Sequence, residues 1–172
     1  GGSDTQEDND FGNYLNSYAS IIQDTAYGAN VFTFRKTSSA AVEQANGERI
    51  QQLINEGVGF IGYFGHSSAN TLAFNLSNPK DYDNEGKYPF FNVSGCSAGN
   101  FFGFDITRLD KSRTLSEEYV LAQKRGSIGF LASTHLGIPP YLDQYNRQLY
   151  NSVCRTMYGN SIGNQLKQSI FN

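Results

Sequence analysis

The chain has no tryptophan, one methionine, two histidines and two cysteines among its 172 residues. Each scarcity narrows the chemistry. Cys96 and Cys154 are too few for a disulfide scaffold, and a chain of this length buries about two-thirds of its unfolded surface without one. His66, Cys96 and His135 are of the types that hold zinc, but no CxxC or HxxxH spacing supports such a site. A Walker loop and a GxGxxG fingerprint are both missing. Positive charge is short as well: 13 Lys and Arg stand against 16 Asp and Glu, net −3. With no basic stripe, the electrostatic footprint of a nucleic-acid partner is absent. No apolar run approaches the roughly 18 residues of a membrane span. No leader segment opens the chain, and Gly1-Gly2-Ser3-Asp4 read as the start of a piece cut from a longer protein, so flanking domains are expected.

Aromatics supply what is there. Thirteen Phe and 11 Tyr provide a core despite a hydrophobic content of 38%. Length alone predicts a single domain over residues 1–172. Abundant Asn, Gly, Ser and Tyr with little Lys lean towards an exported bacterial surface protein, secreted or held outside the cell.

The polar and acidic residues 1–10 predict a loop, with helix capping or structural calcium as alternative roles for the acids and amides of residues 4–10, although no full Asp-x-Asp-x-Asp-Gly pattern is present. Helical spacing then places Phe11, Tyr14, Leu15, Tyr18, Ile21 and Ile22 on one face over Phe11–Ile22. Val31–Phe34 reads as a strand. Ala40–Asn55 reads as a helix with Ile50, Leu53 and Ile54 inward and Gly57 as its stop. Two short apolar runs follow, Gly59–Phe64 and Pro89–Val93, separated by a long polar excursion over residues 67–88. Phe101, Phe102 and Phe104 form an aromatic patch, read first as packing and second as a groove wall. Thr114-Leu115-Ser116-Glu117 is a capping-box pattern opening a helix to Lys124. Ser127–Ala132 is a further buried strand. Tyr141–Met157 is a helix with Leu142, Tyr145, Leu149 and Val153 inward, and Ser161–Ile170 a last short helix. Helices alternating with continuous apolar strands predict a three-layer α/β/α sandwich on a mostly parallel sheet.

In parallel sheets, ligands gather beyond the carboxyl ends of the strands. The first apolar run ends in Gly65-His66-Ser67-Ser68 and the second in Ser94-Gly95-Cys96-Ser97-Ala98-Gly99. Neighbouring strands therefore bring His66 and Cys96 to one rim, and a thiol beside an imidazole is the minimum set for nucleophilic acyl transfer. His135, just past the third run in Ser133-Thr134-His135, is a second candidate for the base. Cys154, inside an amphipathic helix, reads as a small buried hydrophobe. The sequon Asn92-Val93-Ser94 falls in a predicted buried strand and is discounted.

These segments also carry a resemblance. Glu48-Arg49-Ile50 through Gly57-Val58-Gly59-Phe60-Ile61-Gly62-Tyr63-Phe64-Gly65-His66 resembles the run into the catalytic histidine of gingipain-type cysteine peptidases. Lys87-Tyr88-Pro89-Phe90-Phe91 through Gly95-Cys96, with Gly99-Asn100-Phe101, resembles their nucleophile segment. Leu115-Ser116-Glu117 and Gly126–Thr134 resemble the following helix and strand. The likeness spans about residues 40–140 and implies a caspase-like fold. It implies a cysteine endopeptidase acting on proteins or peptides without a cofactor, Cys96 as nucleophile and His66 as proton carrier. The backbone N–H groups of Cys96 and Ser67 then form the oxyanion hole. Ser67 stands where the family usually has glycine, keeping the N–H while its Cβ narrows the backbone angles. The acid that orients the histidine lies in relatives before a glycine-rich turn like Gly1-Gly2, so it is either upstream of this sequence or not used. Asp10 falls near the aspartate that floors the pocket of arginine-cleaving relatives, with a helix N-cap as its alternative role. Ser133, Thr134 and His135 are implied at the pocket wall. A transpeptidase or a catalytically silent binding domain of the same fold remains the alternative, and outside this family a module that only binds a ligand at the same rim.

Overall fold

The computed structural model describes residues 4–38, 40–43, 46–76, 78–103 and 113–171. They form two compact units, one from residue 4 and residues 36–137 and the other from residues 5–35 and 138–171.

The first unit is built on a parallel sheet in the order β1 (Phe60–Phe64), β2 (Phe90–Ser94) and β3 (Gly129–Ala132). The register pairs Phe64 with Ser94 and Val93 with Ala132, so all three strands end at one rim. The central strand β2 carries Phe91, Asn92, Val93 and Ser94 buried, as a strand covered on both faces requires. Phe91 packs its ring 4.5 Å from Tyr119 and 5.4 Å from Phe130. Tyr119 comes from α3 (Leu115–Leu121), which opens with the expected capping box: the Glu117 carboxylate accepts from the Thr114 N–H at 2.8 Å.

Helix α2 (Gly47–Glu56) buries Ile50, Leu53 and Ile54 and stops at Gly57, as the apolar spacing indicates. It starts seven residues later than the sequence pattern suggests. Asn46 takes a left-handed conformation and Glu43 pairs as a single bridge with Phe74, so the preceding chain follows a neighbouring segment instead of a helix. The polar excursion of residues 67–88 is not a solvated loop either. It buries Leu72, Ala73, Phe74, Leu76 and Tyr82. Asn84 fastens it by donating to the Gly126 carbonyl at 2.9 Å and accepting from the Gly126 N–H at 3.0 Å.

The second unit is helical. Helix α1 runs Thr5–Ile22, so the acidic stretch read as a loop is its first turns, with Glu7 and Asp8 near the positive end of the helix dipole. Helix α4 (Pro139–Asn151) continues through a π-turn, Ser152–Thr156, and α5 is Ile162–Phe171. Tyr18 of α1 stacks on Tyr150 of α4 at 5.0 Å and donates to Asp143 at 2.8 Å. On α4, Leu149 is buried as expected, but Leu142 and Tyr145, like Val153 of the π-turn, are only half-buried, and Asn146 and Tyr150 are buried beside Leu149. Val31–Phe34 belongs to no strand. A strand needs a ladder partner, the described sheet contains only β1, β2 and β3, and Phe32 is exposed. No helix among the described residues is long and apolar enough to cross a membrane.

Candidate functional site

Three strand-end segments meet at the rim of the sheet. His66 and Cys96 each lie two residues beyond the register pair Phe64–Ser94. The Gly65 N–H donates to the Ser94 carbonyl at 3.0 Å, carrying the ladder one step past the strands. The Ser67 hydroxyl then donates to the Cys96 carbonyl oxygen at 2.8 Å, tying the histidine segment to the cysteine turn. Gly95 permits this approach. A Cβ on it would lie 2.5 Å from the Gly65 carbonyl oxygen and closer still to Ser67 Oγ.

After His66 the chain folds back in a short hairpin. Ser67 opposes Leu72 in an antiparallel bridge. It is flanked by bonds from Ala73 N–H to the His66 carbonyl at 3.0 Å and from Ser68 N–H to the Thr71 carbonyl at 2.9 Å. In this pattern the paired residues turn their own N–H and C=O groups away from each other. Neither the Ser67 N–H nor the Cys96 N–H donates to another group among the described residues.

The third segment runs antiparallel to the cysteine turn. Ser97 N–H donates to the His135 carbonyl and Gly99 N–H to the Ser133 carbonyl, both at 2.9 Å. Gly99 needs to lack a side chain here, since a Cβ would lie 2.7 Å from the Ala132 carbonyl oxygen. At the end of this pairing the Gly137 N–H donates to Cys96 Sγ at 3.4 Å. Ser133, Thr134 and His135 thus border the cysteine turn, with Thr134 and His135 exposed. His66 is exposed and Cys96 half-buried.

Asp10 is placed elsewhere in the chain, in α1 of the second unit. The helix begins at Thr5, so Asp10 is in its second turn and does not cap it. Its carboxylate accepts from the Gln6 side-chain amide at 3.0 Å. Cys154 is buried in the π-turn, as its helical spacing suggests, and burial pushes its thiol up to about 11, against the opposing pull of Arg155. Both cysteines are free thiols. Among the described residues no group of three or more His, Cys, Asp or Glu side chains gathers as a metal site. Phe101 and Phe102 are not core packing: they are 54% and 66% exposed, edge to face at 5.0 Å. Phe104 lies outside the described residues.

The model of peptidase family C25 matches residues 1–172. The chain belongs to peptidase family C25. This family is one of cysteine peptidases and includes the gingipains, as the resemblance of residues 40–140 implies. The fold agrees. The crystal structure of the Arg-specific cysteine proteinase gingipain R is similar at a TM-score of 0.71 and 17% identity, over 92% of this chain and 36% of that one. The complex of the pro- and mature domains of RgpB from Porphyromonas gingivalis gives 0.69 and 18% over the same shares. At such identities the likeness is one of fold, an α/β arrangement on a parallel sheet similar to gingipain's caspase-like fold. The C25 chain spans about a third (36%) of the length of those gingipain chains. No curated protein sequence matches it. Residues 95–99 also spell Gly-x-Ser-x-Gly, the serine-hydrolase pattern, with Ser97 at the serine position and a φ of 56°. Membership of a cysteine-peptidase family speaks for Cys96 over its neighbour.

Proposed function

We propose that this chain is the catalytic core of a cysteine endopeptidase in which Cys96 attacks the scissile carbonyl and His66 carries the proton to the leaving amine. The observation that carries the reading is the 2.8 Å bond from Ser67 Oγ to the Cys96 carbonyl. It joins the ends of two adjacent parallel strands, each bearing one half of a thiol–imidazole pair. The N–H groups of Cys96 and Ser67 are the oxyanion donors, supported by their having no other acceptor among the described residues. Removing one such donor costs about 3 kcal/mol of transition-state stabilisation in comparable sites. Thr134 and His135 border the substrate cleft, and an exported or cell-surface setting fits the composition and the gingipain likeness.

Gingipain R is described as Arg-specific. A basic preference in the present chain, read by Asp10, is part of the proposal. A protein partner in the manner of the pro-domain that accompanies mature RgpB belongs to it as well.

The test is a peptide-library cleavage profile. Wild type cleaves, Cys96→Ala does not, and Asp10→Asn loses a preference for Arg or Lys before the scissile bond. Capture of the acyl group by an added amine in place of water would assign transfer, not hydrolysis. Cleavage that survives Cys96→Ala would refute the nucleophile.

A further inference from the structure

The hydroxyl of Tyr63 sits at the hub of the hairpin that carries His66 and Ser67, yet the chemistry above gives it no part. Tyr63 is the fourth residue of β1, and its side chain is buried. Burial holds its phenol well above the ordinary tyrosine range, the bond from Ala73 opposing, so at neutral pH it is a protonated donor. It donates to the His66 carbonyl oxygen at 2.5 Å and accepts from the Ala73 N–H at 3.0 Å. The Ala73 N–H also reaches the His66 carbonyl, at 3.0 Å. One carbonyl therefore receives two donors, and the donors are bonded to each other.

That carbonyl belongs to the same peptide group as the Ser67 N–H. In a planar trans peptide the C=O and N–H point in opposite directions, so whatever fixes one fixes the other. We infer that Tyr63 is a positioning residue for the oxyanion hole, its hydroxyl clamping the His66 carbonyl so that the Ser67 N–H is aimed out of the hairpin. Bonds on the oxygen also polarise the peptide and strengthen the donor at its other end. The device suits a chain with serine where a glycine would have more backbone freedom. Ser67 holds the cysteine turn through its hydroxyl, and the clamp keeps its amide from turning away. A catalytic electrostatic site gains from donors that need no reorganisation at the moment of reaction.

The inference rests on the oxyanion reading above, and its test separates the two. In Tyr63→Phe, kcat for peptide hydrolysis falls about tenfold with KM unchanged. This is less than the hundredfold or greater loss expected when such a donor is removed outright. Alkylation of Cys96 by iodoacetamide keeps its wild-type rate, because displacement at a methylene carbon develops no oxyanion. Replacing Tyr63 by 3-fluorotyrosine, which retains the donor, restores kcat to within about twofold of wild type. Tyr82→Phe, a buried tyrosine elsewhere in the same unit, leaves kcat unchanged, and thermal melts report any loss of fold. The inference is overturned if Tyr63→Phe keeps its kcat, if kcat and alkylation fall together, or if Tyr82→Phe is equally impaired. A wild-type chain that alkylates at Cys96 but cleaves no peptide overturns the peptidase reading and the inference with it.

Discussion

Cys96 and Cys154 are the same residue in two opposite settings. Cys96 lies two residues past a buried strand, half-buried in a turn bordered by the His66 hairpin and the Ser133–Gly137 segment. Its Sγ accepts an N–H from Gly137. Cys154 sits within a π-turn of the helical unit, where burial raises its thiol to about 11 and keeps it protonated. A thiol is a nucleophile only as thiolate and only where a substrate can reach it. The comparison shows what a parallel sheet does for chemistry: its aligned strand ends place residues distant in sequence side by side at an open rim. A helix interior offers the same residue only packing.

The comparison breaks most decisively at the histidines. His66→Ala is expected to lower turnover by about two to four orders of magnitude, as loss of a positioned acid–base group does. His135→Ala, whose carbonyl rather than its imidazole fastens the cysteine turn, should change it less than about tenfold and mainly alter substrate preference. Steady-state kinetics of the two variants decide the assignment, and comparable losses from His135→Ala alone would move the role of base to that residue.

Gly95→Ala sharpens the comparison from the structural side. A Cβ there presses on Gly65 and Ser67, so the turn must part from the hairpin. Overpacking of this kind costs about 1–3 kcal/mol. Denaturant unfolding should show that loss, and cleavage should fall further than stability because the Ser67–Cys96 bond is the one displaced. An equivalent methyl added at Gly163 of α5, which has nothing within 4 Å, should cost neither.

The smallest effect belongs to Cys154. Its folded thiol is raised above the ordinary value of 9.0 to about 11. Above about pH 9 the unfolded chain releases this proton while the folded chain retains it. The contribution is therefore fully present below pH 9 and is lost as pH rises through about 11. Unfolding curves of wild type and Cys154→Ala should converge across that window. Parallel curves from pH 8 to 11 would contradict the burial argument.

The rim of the sheet was legible in the sequence because its signals are local. Gly59–Phe64 and Pro89–Val93 are short apolar runs bounded by Gly and Pro, and one leads straight into His66 and the other into Cys96. The helical unit was less so. Thr5–Asp10 looks like a loop because it has no apolar stripe, yet acidic residues favour a helix's first turn and Phe11 already belongs to the second. Val31–Phe34 has the aromatic and β-branched residues of a strand but no ladder partner, which only tertiary structure reveals. Two features carried no signal at all. Nothing marks Tyr63 among 11 tyrosines as the one that reaches the His66 carbonyl. Nor does any motif announce that the Gly137 amide meets Cys96 Sγ. Both depend on how chain segments approach each other in space.

The most direct measurement of the central claim is covalent labelling of the wild-type chain with a peptidyl chloromethyl ketone, followed by peptide mapping of the modified residue. The account predicts one label, on Cys96, lost in Cys96→Ala and retained in Cys154→Ala. A label on Cys154 or Ser97, or equal labelling of the two cysteines, would contradict it.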